Sequence, residues 1–225
     1  MISPVPSNRS DAALGEPPPD LTGFPDVRVS ASHRLYRSVA FRRPTPRGAW
    51  YFASGGGRFD LEMPMGTCYL ATDLQTAIRE RVASHISQAN MVPESVMHTM
   101  EVVELNLPKA ATLAHTGNEL AANWGSIREL GASHGDYEKT CRWATAFHSA
   151  GFGGILYESR FTSISEATAI ALFDKAKGKT WTEGDRIPGE EAFLRANMYG
   201  MVQRIPSSKA VPMAKPPKPL PKKNK

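Results

Sequence analysis

The sequence predicts an α+β domain, a mixed β-sheet core with flanking helices. Three observations carry this. Several short segments alternate apolar and polar residues, or run apolar, as strands do. A few longer segments repeat apolar residues at helical spacing. The two kinds are interspersed along the chain, as in a sheet with helices packed on it.

In chain order, HRLYRSVAF places Leu35, Arg37, Val39 and Phe41 on one face by alternation, a strand signature that puts a charge among apolar neighbours. GAWYFASGGGRFD reads as an aromatic strand running into three glycines and Arg58. Those glycines read either as a backbone nest for an anion or as a mobile loop. GTCYLATDLQTAIRE, residues 66–80, reads as a strand holding Tyr69, a sharp turn, and a helix holding Glu80. Thr72 and Gln75 fit a capping box, which starts the helix near Leu74. Leu74, Ala77, Ile78, Val82, Ile86 and Ala89 form its buried stripe, with His85 among them as a packed core histidine. Glu80 lies nearly opposite that stripe. VMHTMEVVELNLP reads as a strand ended by Pro108. DYEKTCRWATAFHSAGFGG reads as a helix with Asp136 as N-cap and Gly151 as its stop. GILYESRF is a buried strand ending at Ser159 and Arg160, and SEATAIALFD reads as a further helix.

The 225 residues suit one domain with tails. Residues 1–25, rich in Pro, Ser and Gly, read as a disordered segment. Residues 26–205 hold the folded domain, and the Pro/Lys-rich residues 206–225 read as a disordered, extended tail. The net charge is +5, and six lysines without an acid sit in that tail, so the rest of the chain is nearly neutral. The high pI therefore belongs to the tail, which could touch nucleic acid or an acidic partner without selectivity, the plainer reading being a solubilising end. Two cysteines make no disulfide framework and point to a reducing compartment. No apolar run reaches the roughly 20 residues of a membrane span, and the first residues lack a signal-peptide layout. These features together read as a soluble, cytoplasmic protein.

Common nucleotide loops, GxGxxG and GxxxxGK[ST], are absent, as is a GxSxG elbow. The six histidines are scattered, and none pair at metal-ligand spacing, so no metal site is expected.

The order LYR, GRFD, YLATDLQTAIRE, GILYESR resembles the RES domain family over about residues 33–175. The strand–turn–helix piece with its tyrosine-to-glutamate spacing is the most specific part. The resemblance implies an ADP-ribosyltransferase-like fold and a bacterial toxin that destroys NAD. It also implies a neighbouring antitoxin with a helix-turn-helix DNA-binding part, so that nucleic acid is met indirectly through that antitoxin or weakly through the basic tail. Residue by residue, the family's arginine falls on Arg37, its tyrosine on Tyr69, its glutamate on Glu80 and its serine on Ser159. Arg58 and Arg160 match secondary basic positions. GRFD departs from the pattern by placing Asp60 where asparagine is more usual.

Chemistry of this kind breaks the bond between nicotinamide and ribose, with NAD as substrate rather than cofactor. Glu80 is the candidate to stabilise an oxocarbenium-like ribose. Arg37 is the candidate to hold the diphosphate, with Arg58 or Arg160 assisting. Tyr69 suits stacking on nicotinamide, and Ser159 suits a hydrogen bond to a phosphate or the ribose. Each has a plainer alternative: a solvated helix glutamate, an arginine in a structural salt bridge, a core tyrosine, a serine closing a strand. The acceptor would be water in a glycohydrolase or inorganic phosphate, as co-substrate, in a phosphorylase. The alternatives are transfer of ADP-ribose to a macromolecule, or a catalytically silent binding module with a basic tail.

Overall fold

β-branched and aromatic residues set the strands, and a computed structural model describes residues 14–41, 48–87, 89–125, 127–131, 137–162, 166 and 168–204. In chain order the strands are β1 (Asp26–Val29), β2 (Arg34–Ala40), β3 (Tyr51–Phe52), β4 (Met65–Ala71), β5 (Val92–Pro93) and β6 (Met100–Asn106). There follow β7 (Ala111–His115), β8 (Gly154–Tyr157), β9 (Ala169–Lys175), β10 (Lys177–Gly178), β11 (Glu183–Pro188) and β12 (Val202–Gln203). The α-helices are α1 (Leu74–Val82), α2 (Glu94–His98), α3 (Glu138–Ser149) and α4 (Gly189–Arg195).

Eight strands form the main sheet in the order β1-β7-β8-β9-β4-β2-β6-β11. It is mixed, because β7 and β8 run parallel and the other neighbours antiparallel. The α+β class with a mixed sheet and flanking helices is therefore the one the sequence predicts. Helix α3 packs Trp143, Ala144 and Phe147 on Ile155 of β8 and Ala171 of β9. Helices α1 and α4 bury Ile78, Val82 and Phe193 against Val102 of β6 and Ile187 of β11.

The sheet is not uniformly zipped. β2 pairs with β6 along its whole length, from Arg34↔Asn106 to Ala40↔Met100. With β4, by contrast, it pairs only at Tyr36↔Ala71. Beyond that pair the strands part. Arg37 and Ser38 on one side, and Leu70 and Tyr69 on the other, line a hollow.

Several expectations need correction. Residues 14–25, placed in a disordered segment, are docked on α3: Leu14, Leu21 and Phe24 are buried. Trp143 Nε1 donates to the Gly15 carbonyl at 2.9 Å, and Arg142 pairs with Glu16 at 2.7 Å. Burial of each such side chain stabilises by about 1.5–3 kcal/mol, and the contacts of Gly15 and Glu16 with α3 add to it. The cap of α1 is Asp73, whose carboxylate accepts from the Thr76 N–H at 2.8 Å, not Thr72. The Thr72 N–H donates instead to the Thr168 carbonyl, at 2.9 Å. Because α1 ends at Val82 and a short 3-10 turn follows, His85 and Ala89 are exposed rather than part of the stripe. Phe41 lies beyond the end of β2 and is exposed. The segment read as a helix, SEATAIALFD, contributes strand β9. That strand is central, with Ala169 to Phe173 buried without a break, and such an apolar run carries no period to tell strand from helix. Residues 1–13, Asp136 and residues 205–225 lie outside the described residues.

Candidate active site

The hollow between β2 and β4 is the first of two adjoining lobes. It has a volume of about 270 Å³, and its walls include Tyr36, Arg37, Ser38, Leu70, Ala77 and Arg81. The second lobe, about 400 Å³, is walled by Gly56, Gly57, Arg58, Ser84, Tyr137, Arg160 and Phe161. Tyr69, Glu80 and Tyr157 belong to both. The sequence-predicted Arg37, Tyr69, Glu80, Arg58 and Arg160 thus all reach one cleft, and Ser159 reaches it through Glu80.

Arg37 stands where the sheet opens. Its Nη1 donates to the carbonyls of Ala49 and, at 3.0 Å, Tyr51, and to Cys68 Sγ at 2.9 Å. The ion pairs among the described residues do not include it, so a structural salt bridge does not account for the charge. The guanidinium spans the parted strands on acceptors that carry no full charge. Burial pushes the Cys68 thiol up to about 11, against a smaller opposing pull from Arg37, so the sulfur beside the guanidinium is a neutral thiol.

Glu80 is on the solvent side of α1, as its spacing predicts, yet it is not a loose surface charge. Ser159 Oγ donates to Glu80 Oε1 at 2.7 Å, across 79 residues of chain. Ser159 is buried, and its Oγ accepts from the Phe161 N–H at 3.2 Å while its carbonyl accepts from the Thr162 N–H at 3.3 Å. A rigid hydroxyl therefore aims the carboxylate. That hydrogen bond to Glu80 is one the sequence did not foretell.

Tyr69 presents its ring to both lobes, while its hydroxyl is fully engaged. It donates to Asp60 Oδ1 at 2.9 Å and accepts from the Phe59 N–H at 2.9 Å. Burial, with Asp60 beside it, pushes the phenol well above its ordinary range. Asp60 is itself buried and also accepts from the Gly57 N–H at 2.9 Å. The departure at GRFD is thus a brace for Tyr69 and for the glycine loop. A Cβ on Gly57 would come within 2.5 Å of Tyr69 Oη and 2.6 Å of Asp60 Oδ1, so only glycine fits there. At this point the loop is not an open nest, because the Gly57 N–H is spent on Asp60.

In the second lobe, Arg58 Nη1 donates to the carbonyls of Leu130, at 3.2 Å, and Gly131, and the guanidinium lies 5.7 Å from the Tyr137 ring centre. Its backbone is clamped by α3, where Thr140 Oγ1 and Cys141 Sγ both donate to the Arg58 carbonyl. Arg160 is exposed and stacks over Phe161 at 4.5 Å.

The family model of the RES domain matches residues 31–189. The chain belongs to the RES domain family. The match spans β2, both lobes and β11. No curated protein matches this RES domain. Among solved structures, a chain of the M. tuberculosis MbcT–MbcA toxin–antitoxin complex is similar at 14% identity, over 75% of this chain and 92% of that one, with a TM-score of 0.49. Among the described residues, no group of three His, Cys, Asp or Glu side chains is placed to hold a metal ion, and no helix is long and apolar enough to cross a membrane.

The RES domain cleft also contains residues that sequence reasoning missed. Arg81, next to Glu80 on α1, lines the first lobe beside Arg37. Tyr157 lines both lobes, buried at the end of β8 with its ring edge-on to Phe59 at 5.0 Å. A signal for Tyr157 was present in GILYESR: residues two apart on an extended chain point the same way, and Ser159 is two residues on.

Proposed function

We propose that this RES domain cleaves the nicotinamide–ribose bond of NAD and acts as the toxin of a toxin–antitoxin pair. The observation that carries the reading is the junction. Glu80, aimed by Ser159, stands between one lobe bearing Arg37 and another bearing Arg58 and Arg160. A dinucleotide diphosphate needs guanidinium groups and an extended cleft, and a ribosyl cation needs a fixed carboxylate beside it. Family membership supports the same chemistry.

In this reading the C–N bond breaks with its electron pair passing to the nicotinamide nitrogen, which becomes neutral. The ribose is left as an oxocarbenium ion, which Glu80 stabilises by its charge while orienting the sugar hydroxyls. The Tyr69 ring stacks on the nicotinamide; its hydroxyl, already engaged, takes no part. Arg37 binds the diphosphate. Ser159 acts through Glu80 as a positioning residue and not as a phosphate contact. The acceptor is water, which releases its proton to solvent and yields ADP-ribose, or inorganic phosphate, which yields the 1-phosphate of ADP-ribose. A partner antitoxin with a helix-turn-helix part would silence the enzyme by covering the cleft.

The experiment is incubation of purified chain with NAD, with and without phosphate, followed by chromatography of the products. Nicotinamide release by wild type, nearly abolished in Glu80→Gln, is the expected result. Intact NAD after incubation with folded, antitoxin-free protein would overturn the reading in favour of a silent binding module.

A further inference from the structure

Two phenols face both lobes, and their hydroxyls differ. The Tyr69 hydroxyl both donates and accepts within the protein. The Tyr157 hydroxyl has no hydrogen-bond partner in the protein among the described residues, although Tyr157 is only 6% exposed. Buried polar atoms are satisfied in the great majority of cases, and an unsatisfied one costs about 1–3 kcal/mol. Tyr157 Oη is also not among the sealed-in unpaired atoms; Arg79 Nε is the one such side-chain atom among the described residues. The Tyr157 oxygen therefore opens into the cleft, where what it meets comes from outside the protein.

Its surroundings fix the direction of that contact. The Tyr157↔Ala169 pair of β8 with β9 and the edge contact with Phe59 hold the ring. Burial, with the charge of Glu80 in support, pushes the phenol far above its ordinary range, so the O–H remains intact at any physiological pH. A neutral, immobile donor thus stands with Glu80 at the place where the lobes meet.

We propose that Tyr157 is a substrate-contacting residue, whose hydroxyl hydrogen-bonds a hydroxyl group of the nicotinamide ribose that Glu80 also faces. This rests on the NAD-cleaving reading above and adds a second anchor for the sugar. A site built to bond a substrate hydroxyl discriminates strongly against the analogue lacking it. Tyr157 shares the wall with Glu80, so the sugar that Glu80 faces is the group within its reach.

The test compares wild type and Tyr157→Phe, with melting curves to establish that both fold. Phenylalanine keeps the ring and its packing on Phe59, and removes one oxygen. The substrates are NAD and two analogues lacking either the 2′- or the 3′-hydroxyl of the nicotinamide ribose. The expected loss of kcat/KM on NAD is about 10- to 100-fold, the size of one hydrogen bond in a dry site. On one of the two analogues that difference should vanish, because the partner of the missing phenol hydroxyl is also gone. Where an analogue does not turn over, its inhibition constant carries the same comparison. Equal activity of variant and wild type on NAD, or an undiminished difference on both analogues, would overturn the proposal and leave NAD cleavage standing. Wild type that leaves NAD intact would overturn the NAD reading and this inference with it.

Discussion

The two lobes of the cleft are built by opposite means. The first is a gap in a regular structure: β2 stays zipped to β6, parts from β4 after one residue pair, and Arg37 bridges the opening. The second is assembled from a glycine loop, the residue preceding α3 and the turn after Ser159, and is held by side-chain clamps such as Thr140 and Cys141 on the Arg58 carbonyl. The shared wall of Tyr69, Glu80 and Tyr157 takes rigidity from both. Chemistry that depends on sub-ångström placement belongs at that wall and in the strand-built lobe. Binding contacts away from the bond that breaks tolerate the loop-built lobe. Substitutions should divide accordingly, with the wall and first lobe governing kcat and the second lobe governing KM.

The largest effect is expected at the wall. Glu80→Gln keeps the shape and the Ser159 contact but removes the charge, and should lower kcat by about 10²–10³-fold with KM little changed. A mainly raised KM in steady-state assays would place Glu80 in binding and break the division. In the first lobe, Arg37→Lys should cost about 10²-fold in kcat/KM. One ammonium cannot both satisfy the Ala49, Tyr51 and Cys68 acceptors and present a second donor to a diphosphate. Next comes Tyr157→Phe, with the smaller loss given above. Tyr69→Phe sharpens the contrast between the two phenols. It should leave turnover within a few-fold but lower stability by about 1–3 kcal/mol, read as a melting shift of several degrees, because Asp60 loses a donor while buried. The smallest effect belongs to the second lobe: Arg160→Ala should raise KM several-fold at unchanged kcat, since Arg160 is exposed and stacks on Phe161.

The same contrast explains what the sequence revealed. Arg37 was legible because alternation along β2 put a charge on an apolar face, whereas Glu80, on the polar side of its helix, was singled out by the resemblance to the RES family. β9 was not legible, because a central strand buried on both sides reads as an unbroken apolar run. The docking of residues 14–25 was hidden by a proline-rich composition in which Leu14, Leu21 and Phe24 are widely spaced. The bond from Ser159 to Glu80 joins residues 79 apart, and nothing in either local pattern announces it. Tyr157 was passed over because a tyrosine in an apolar strand looks like core. The absence of a partner for its hydroxyl among the described residues, a property of the folded chain, sets it apart from Tyr69.

The central claim is that the labile bond of NAD lies at the wall shared by the two lobes. A crystal structure of Glu80→Gln soaked with NAD tests this directly. The account requires the nicotinamide ribose within hydrogen-bond distance of the residue 80 side chain, with the dinucleotide continuing past Arg37. NAD bound away from residue 80, or lying wholly inside the second lobe, would contradict it.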